Sequence, residues 1–291
     1  MGAYKIKDIE RLTGIKAHTL RIWEKRYGIL TPDRTDTQIR TYTDEDLSYL
    51  LNLSILNKNG VKISHLALLK PAEIHQKVNE LLLLDSNHLS IETMIKSLIE
   101  MDETLFLNTI DFLVSQNGFE KTFIHFLNAF LDRIGVMWMT GAIHPAQEHF
   151  ISNLIRQKII TLIDQLKVPD EKSQQIILYL PENELHEIGL LFINYILRKG
   201  NYSTVYLGQN VPISGLKKSI AAIKPVAILS SWTSPIEEAA FIAYQHSLMS
   251  DFPDLKIYCG GRQMNEFPEI EGVRKIKDLN EVIEIFELKL A

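Results

Sequence analysis

The sequence predicts a multidomain protein with a winged helix-turn-helix head (residues 1–72), a linker and helical bundle (73–169) and a flavodoxin-like (Rossmann-like) α/β domain (170–291). Three patterns predict it. The first 72 residues read as short helices around a polar hairpin and hold twelve Lys/Arg against eight Asp/Glu, a local charge of +4 where the remaining 219 residues carry −9. The middle third sets apolar residues at helical spacing with few glycines. Beyond Pro169, short strand-like apolar runs alternate with helix-like segments, as βα units in an open parallel sheet do.

In the head, Lys7–Thr13 and Lys16–Arg26 read as helices closed by Gly14 and Gly28. Ile6, Ile9, Leu12, Leu20 and Ile22 supply apolar positions, and Leu20, Ile22 and Trp23 include the packing face. The polar run Pro32–Gln38, set between Thr31 and Tyr42, suits a hairpin wing. Thr43 with Asp46 caps a helix through Leu47, Leu50, Leu51 and Leu53, and another follows Gly60. Pro71 opens a connector. Within the bundle two helices meet near Gly141–Pro145, because proline suits a first helical turn and breaks an interior one. The α/β domain is expected to hold strands at Ile176–Leu180, Thr204–Leu207, Val226–Leu229, Lys256–Cys259 and Gly272–Ile276. Helices are expected at Ile188–Arg198, Ser214–Ile223, Ile236–Ser247 and Leu279–Leu288.

Apolar runs fall far short of the ~20 residues of a membrane span, and the first residues lack a signal-peptide core, so the expected location is the cytoplasm. The one cysteine, Cys259, excludes an intrachain disulfide and a cysteine-cluster metal site.

Lys16, His18, Thr19 and Arg21 fall in the N-terminal half of the second helix, where a recognition helix meets base edges and phosphates of the major groove. Arg34 and Arg40 flank the wing. On charge alone a solvated basic hairpin fits equally well. The runs Tyr4–Ile9, Thr13-Gly14-Ile15, Thr19–Pro32 and Arg40-Thr41-Tyr42 resemble the winged-helix head of MerR-type transcription regulators throughout the head. The resemblance implies a double-stranded DNA operator, contacted by Arg21, Thr19 and His18 from the recognition helix and by Arg34, Arg40 and Tyr42 from the wing.

In an open α/β sheet, ligands bind beyond the carboxyl ends of the strands. The segments expected at that edge are Glu184–Gly189, Ser230–Ser234 and Gly260-Gly261. His186, in a loop, is placed to reach a metal, and Glu184 to orient its ring; a lone loop histidine is also commonly a surface residue. Gly189, Gly260 and Gly261 permit close backbone approach, and small Ser230 and Ser231 leave room for a buried tail. The set resembles a cobalamin-binding module with an acidic residue-x-His-x-x-Gly signature, a serine loop and a Gly-Gly pair, accompanied here by Leu207–Pro212 after the second strand. The resemblance implies cobalamin, with His186 as lower axial cobalt ligand in place of the nucleotide base. It also implies a tail pocket of Gly189, Ser230, Ser231, Gly260 and Gly261. The usual Ser-x-Leu reads Ser230-Ser231-Trp232, a departure that bears on tail binding.

Trp138, nine residues, then Glu148-His149 resembles the Trp-x9-Glu-His motif of cobalamin photoreceptor regulators of the CarH and LitR type. That implies adenosylcobalamin with Trp138, Glu148 and His149 beside its upper group, and a light-responsive repressor working as a homo-oligomer rather than an enzyme. Without the resemblance, Trp138 reads as core and Glu148-His149 as an exposed helix start, or His144, Glu148 and His149 as an incomplete zinc set. Relatives place an upper-ligand histidine directly after the tryptophan, where this chain has Met139. A regulator sensing cobalamin or another input without photochemistry is the alternative. A cobalamin enzyme module fits less well, because no substrate-activating domain remains behind the head.

Overall fold

β1 (Tyr4–Lys5) is too short for any period to reveal, yet it pairs antiparallel with β3 (Arg40–Tyr42), which pairs in turn with β2 (Asp33–Arg34). The wing is therefore a three-stranded sheet in the order β1-β3-β2. The computed structural model describes residues 4–34, 39–82, 90–139, 143–167, 169 and 175–289, and it groups the chain into two units, Met1–Leu154 and Ile155–Ala291. The expected tip of the wing, residues 35–38, lies outside the described residues.

In the first unit, α1 (Ile6–Thr13) ends at Gly14, whose φ of 74° is the left-handed value that a Cβ would penalise. α2 (Ala17–Tyr27) starts where the Glu10 carboxylate accepts from the Ala17 amide at 3.0 Å. Leu20 and Trp23 are buried as expected, whereas Ile22 is about half exposed, 52%. Ile22 falls one position off the inward stripe, so the apolar face is closed instead by Ile9, Leu12 and Ile15. α3 (Asp44–Lys58) opens on a reciprocal capping box: Asp46 N donates to Thr43 Oγ1 and Thr43 N to Asp46 Oδ2. α4 (Ile63–Leu66) is one turn. The connector after Pro71 is helical: α5 (Pro71–Leu82) buries Ile74 and Val78 and packs on α3.

Then come α6 (Ser90–Glu100), α7 (Glu103–Asn117) and α8 (Phe119–Thr122), followed by a π-helical turn at Phe123–Leu127 that no sequence period announces. It leads into α9 (Asn128–Met139), and α10 (Pro145–Asp164) starts on the expected proline. Residues 140–142 of the expected bend lie outside the described residues. Within this unit Arg133 of α9 donates to the Leu12 carbonyl at the end of α1, tying helical bundle to head.

The second unit holds β4 (Gln175–Pro181), α11 (Ile188–Lys199), β5 (Ser203–Val211), α12 (Ile213–Ile223) and β6 (Ala227–Ser231). It continues with α13 (Glu238–Asp251), β7 (Lys256–Gly260), β8 (Val273–Lys275) and α14 (Leu279–Ile285). The strands are parallel in the order β5-β4-β6-β7-β8, so the chain reverses direction across the sheet between β4 and β6, the usual crevice of such folds. Alternation along the strands turns Ile177, Ile228 and Ile257 toward α12 and α13, with Leu216, Ile220, Phe241 and Leu248 packed on them. α11 covers β4, β5 and β6 from the other face. β5 runs four residues past its expected end, through Val211, across a register shift against β4.

Candidate functional site

The segment after β4 is built around one carboxylate. Glu184 is buried, and its Oε1 accepts from the Leu185 and His186 amides at 3.0 Å, from Ser234 Oγ at 3.1 Å and from His186 Nδ1 at 2.6 Å. Its Oε2 accepts from the amides of Thr233 and Ser234 at 2.6 and 2.7 Å. Burial pushes the acid's pKa up, but the bonds from His186 and from the Ser234, His186 and Thr233 amides outweigh it and hold Glu184 ionised down to about 2. A His186 ring that donates Nδ1–H to this carboxylate keeps a lone pair on Nε2, and its side chain is mostly exposed. That is a donor arrangement suited to a single soft or borderline metal held by one imidazole.

The loop is pinned from β5. Asn210 Oδ1 accepts from Asn183 N, Asn210 N donates to Glu184 O, and Gln209 Nε2 donates to Leu185 O. The Gly208-Gln209-Asn210 run noted in the sequence thus serves as a clamp at the end of a strand. Glu187, which sequence reasoning passed over, is buried and accepts from Tyr206 OH at 2.9 Å and Arg156 Nε at 2.5 Å.

Among the described residues nothing lies within 4 Å of where a Cβ on Gly189, in the first turn of α11, would stand, and its φ is not left-handed. No internal packing demands glycine there, so the space suits an external group approaching the backbone. Ser230 and Ser231 correct the expected serine loop: both lie in β6, and buried Ser230 Oγ accepts from Trp232 Nε1 at 2.8 Å. The Gly-Gly pair also divides. Gly260 makes ordinary contacts, whereas Gly261 (φ 98°) passes so close to the Trp232 backbone that a Cβ would lie 2.5 Å from it. Trp232 N donates to Gly260 O and Gln263 N to Trp232 O, so the three expected segments do meet.

On the first unit, Trp138 is 48% exposed near the end of α9, so it is not a core residue. Glu148 and His149 lie in the first turns of α10, with His149 Nδ1 2.8 Å from Glu148 Oε2 and Ser152 Oγ donating to Glu148. The side chain of Met139 lies outside the described residues. Among the described residues no cluster of three His, Cys, Asp or Glu could hold a metal ion, which leaves the zinc set of His144, Glu148 and His149 without support.

In the head, His18, Thr19 and Arg21 lie on α2, with Arg21 exposed. Lys16 precedes the helix as its cap residue and pairs with Glu10 at 3.1 Å, which corrects its expected place inside the helix. Arg34 is exposed on β2. Arg40 Nε meets Glu24 of α2 at 3.0 Å, and Tyr42, buried, donates its hydroxyl to the other Glu24 oxygen at 2.6 Å. Burial and that bond push the phenol's pKa far up. Tyr42 therefore braces wing against recognition helix from within the head, and its expected side-chain contact from the wing does not fit.

The description of a MerR helix-turn-helix family regulatory protein matches residues 4–73, and that of a B12 binding domain matches residues 90–163. The transcriptional repressor CarH of Myxococcus xanthus is 30% identical over 229 residues, 76% of each chain. The chain belongs to the CarH-like family of MerR-type regulators. In this family it is a cobalamin-binding transcriptional regulator with a DNA-binding head. CarA, a transcriptional repressor of the same organism, is 25% identical over 89% of this chain and 88% of its own. The monomethylamine corrinoid protein of Methanosarcina barkeri shares the fold with a TM-score of 0.52 at 15% identity, over 62% of this chain and 89% of that one. Among the described residues no helix is long and apolar enough to cross a membrane.

Proposed function

We propose that this CarH-like protein is a cytoplasmic, homo-oligomeric repressor whose hold on a double-stranded operator depends on adenosylcobalamin and light. The observation that carries the reading is the Glu184–His186 pair: a buried, ionised carboxylate holds Nδ1 at 2.6 Å, so that Nε2 is the ring nitrogen whose lone pair suits cobalt. When bound, adenosylcobalamin supplies a cobalt–carbon bond that light cleaves. His186 would hold the cobalt, Glu184 would fix its ring, and Gly189, Ser230, Ser231, Gly260 and Gly261 would line the tail pocket. Exposed Trp138 offers an apolar wall for the upper group, and Glu148 and His149 offer hydrogen bonds. His18, Thr19 and Arg21 read the operator, with Lys16, Arg34 and Arg40 at the phosphates.

Met139 in place of the expected histidine favours a second reading, in which the same domain senses cobalamin without photochemistry. Absorbance spectra of the chain with adenosylcobalamin, dark and illuminated, separate the two. His186→Ala is expected to bind weakly or with the nucleotide base still on cobalt; a wild-type spectrum and affinity in that variant refute the ligand assignment.

A further inference from the structure

The roll of α2 about its own axis is fixed by three inward-facing residues. Leu20 and Trp23 are buried in the head, and the Glu24 carboxylate accepts from Arg40 Nε at 3.0 Å and from Tyr42 OH at 2.6 Å. At about 100° of rotation per residue, Ile22 points about 160° away from Leu20 and from Glu24, and about 100° away from Trp23. The helix therefore holds Ile22 outward, away from both the core and the wing, and the side chain is 52% exposed.

Its neighbours on that face are polar. His18 and Arg26 stand one turn away on either side, and Arg21 and Lys25 occupy the adjoining row; all four are exposed. A single apolar side chain elsewhere on a protein surface needs no explanation. This one lies inside the stripe of groups that carries the positive charge of the helix, and its β-branched side chain is not one that helix propensity favours. Each of the four neighbours can donate a hydrogen bond to a phosphate or to a base edge, and isoleucine can do neither.

A duplex offers such a side chain one apolar partner on the base edges of its major groove, the 5-methyl group of thymine. Cytosine carries an amino donor on that edge, and the purines carry ring-nitrogen acceptors with a carbonyl or an amino group. An isoleucine against any of those strips water from a polar group and replaces none of its hydrogen bonds. On the reading of α2 as the recognition helix, we propose that Ile22 is a specificity residue for the operator, seated against a thymine methyl in the major groove. Because Leu20, Trp23 and Glu24 fix the roll, the side chain is presented without rearrangement of the head. It neutralises no phosphate, so it contributes sequence preference and leaves the salt dependence of binding to Arg21, Lys25 and Arg26.

The test starts from a DNA duplex selected out of a random double-stranded library by the full chain, loaded with adenosylcobalamin in the dark. Each thymine of that duplex is replaced in turn by deoxyuridine, which pairs identically and lacks only the methyl group. At one or more positions the replacement is expected to weaken binding about fourfold, as the loss of one buried methyl-sized group predicts. In Ile22→Ala the same replacement is expected to leave affinity unchanged, whereas Ile22→Val keeps the discrimination, and the salt slope is the same in all three chains. Thymine and deoxyuridine that bind equally well throughout, or a penalty that persists undiminished in Ile22→Ala, overturn the contact. If Arg21→Ala weakens binding to the selected duplex, the recognition-helix reading stands whichever way the methyl test falls. A library that yields no preferred sequence overturns that reading, and the isoleucine contact with it.

Discussion

Replacing Glu184 by Gln probes the centre of the cofactor loops without changing their shape. The carboxylate accepts six hydrogen bonds through two oxygens, and an amide keeps only one oxygen. With that oxygen facing Leu185 and His186, the new NH₂ points at the Thr233 and Ser234 amides, two donors meeting a donor. Two lost backbone bonds and a weakened bond to His186 amount to about 3 kcal/mol, at roughly 1–1.5 kcal/mol for each. The same bonds hold the pKa at about 2 instead of 4.5, a displacement that corresponds to about 3 kcal/mol at 1.36 kcal/mol per unit. The folded-state value is depressed, so this stability is fully present above pH 4.5 and drains away as pH falls toward 2. Urea unfolding followed by the fluorescence of buried Trp232 reads it. Glu184→Gln is expected to unfold at lower urea at pH 7 and to lose the wild-type decline between pH 4.5 and pH 2. A variant with the wild-type midpoint at pH 7, or with the same decline in acid, refutes the argument that the carboxylate's charge organises the loops.

Arg21→Ala is expected to weaken operator binding by about 1–3 kcal/mol with relaxed sequence preference, and Arg40→Ala to lower the salt slope as well; unchanged affinity in folded variants removes the proposed docking. Tyr42→Phe loses a bond to a charged partner, so it should cost the head about 1.5–3 kcal/mol of stability in thermal unfolding while leaving the salt dependence of DNA binding intact. Arg133→Ala cuts the bond from α9 to the Leu12 carbonyl and should speed hydrogen exchange at the end of α1; exchange at the wild-type rate would show that the tie carries no weight. Size-exclusion chromatography of adenosylcobalamin-loaded chain, dark and illuminated, with parallel operator binding, should show a change of assembly; indifference of both to light with cofactor retained leaves the cobalamin sensor without photochemistry.

Local chemistry is what the amino-acid order determined by itself. Alternating and helical periods, Thr43 and Asp46 as a capping pair, Pro145 as a helix start and Gly14 as a helix stop need only near neighbours, so these elements were legible. So was the Glu184-x-His186 spacing, because two residues within one loop necessarily lie close. Tertiary structure decided what depends on distant partners. β1 exists because β3 offers it hydrogen bonds across some forty residues of chain, and Tyr42 turns inward because Glu24 waits on α2. Ile22 stays outside because the head is too thin to bury every apolar position of a helix. Gly261 answers to the Trp232 backbone, and the indole of Trp232 to Ser230, Phe241 and Tyr244, from a strand and a helix that no local pattern brings together. A side chain's partners across the core are set by how the elements pack, and spacing along the chain does not encode that.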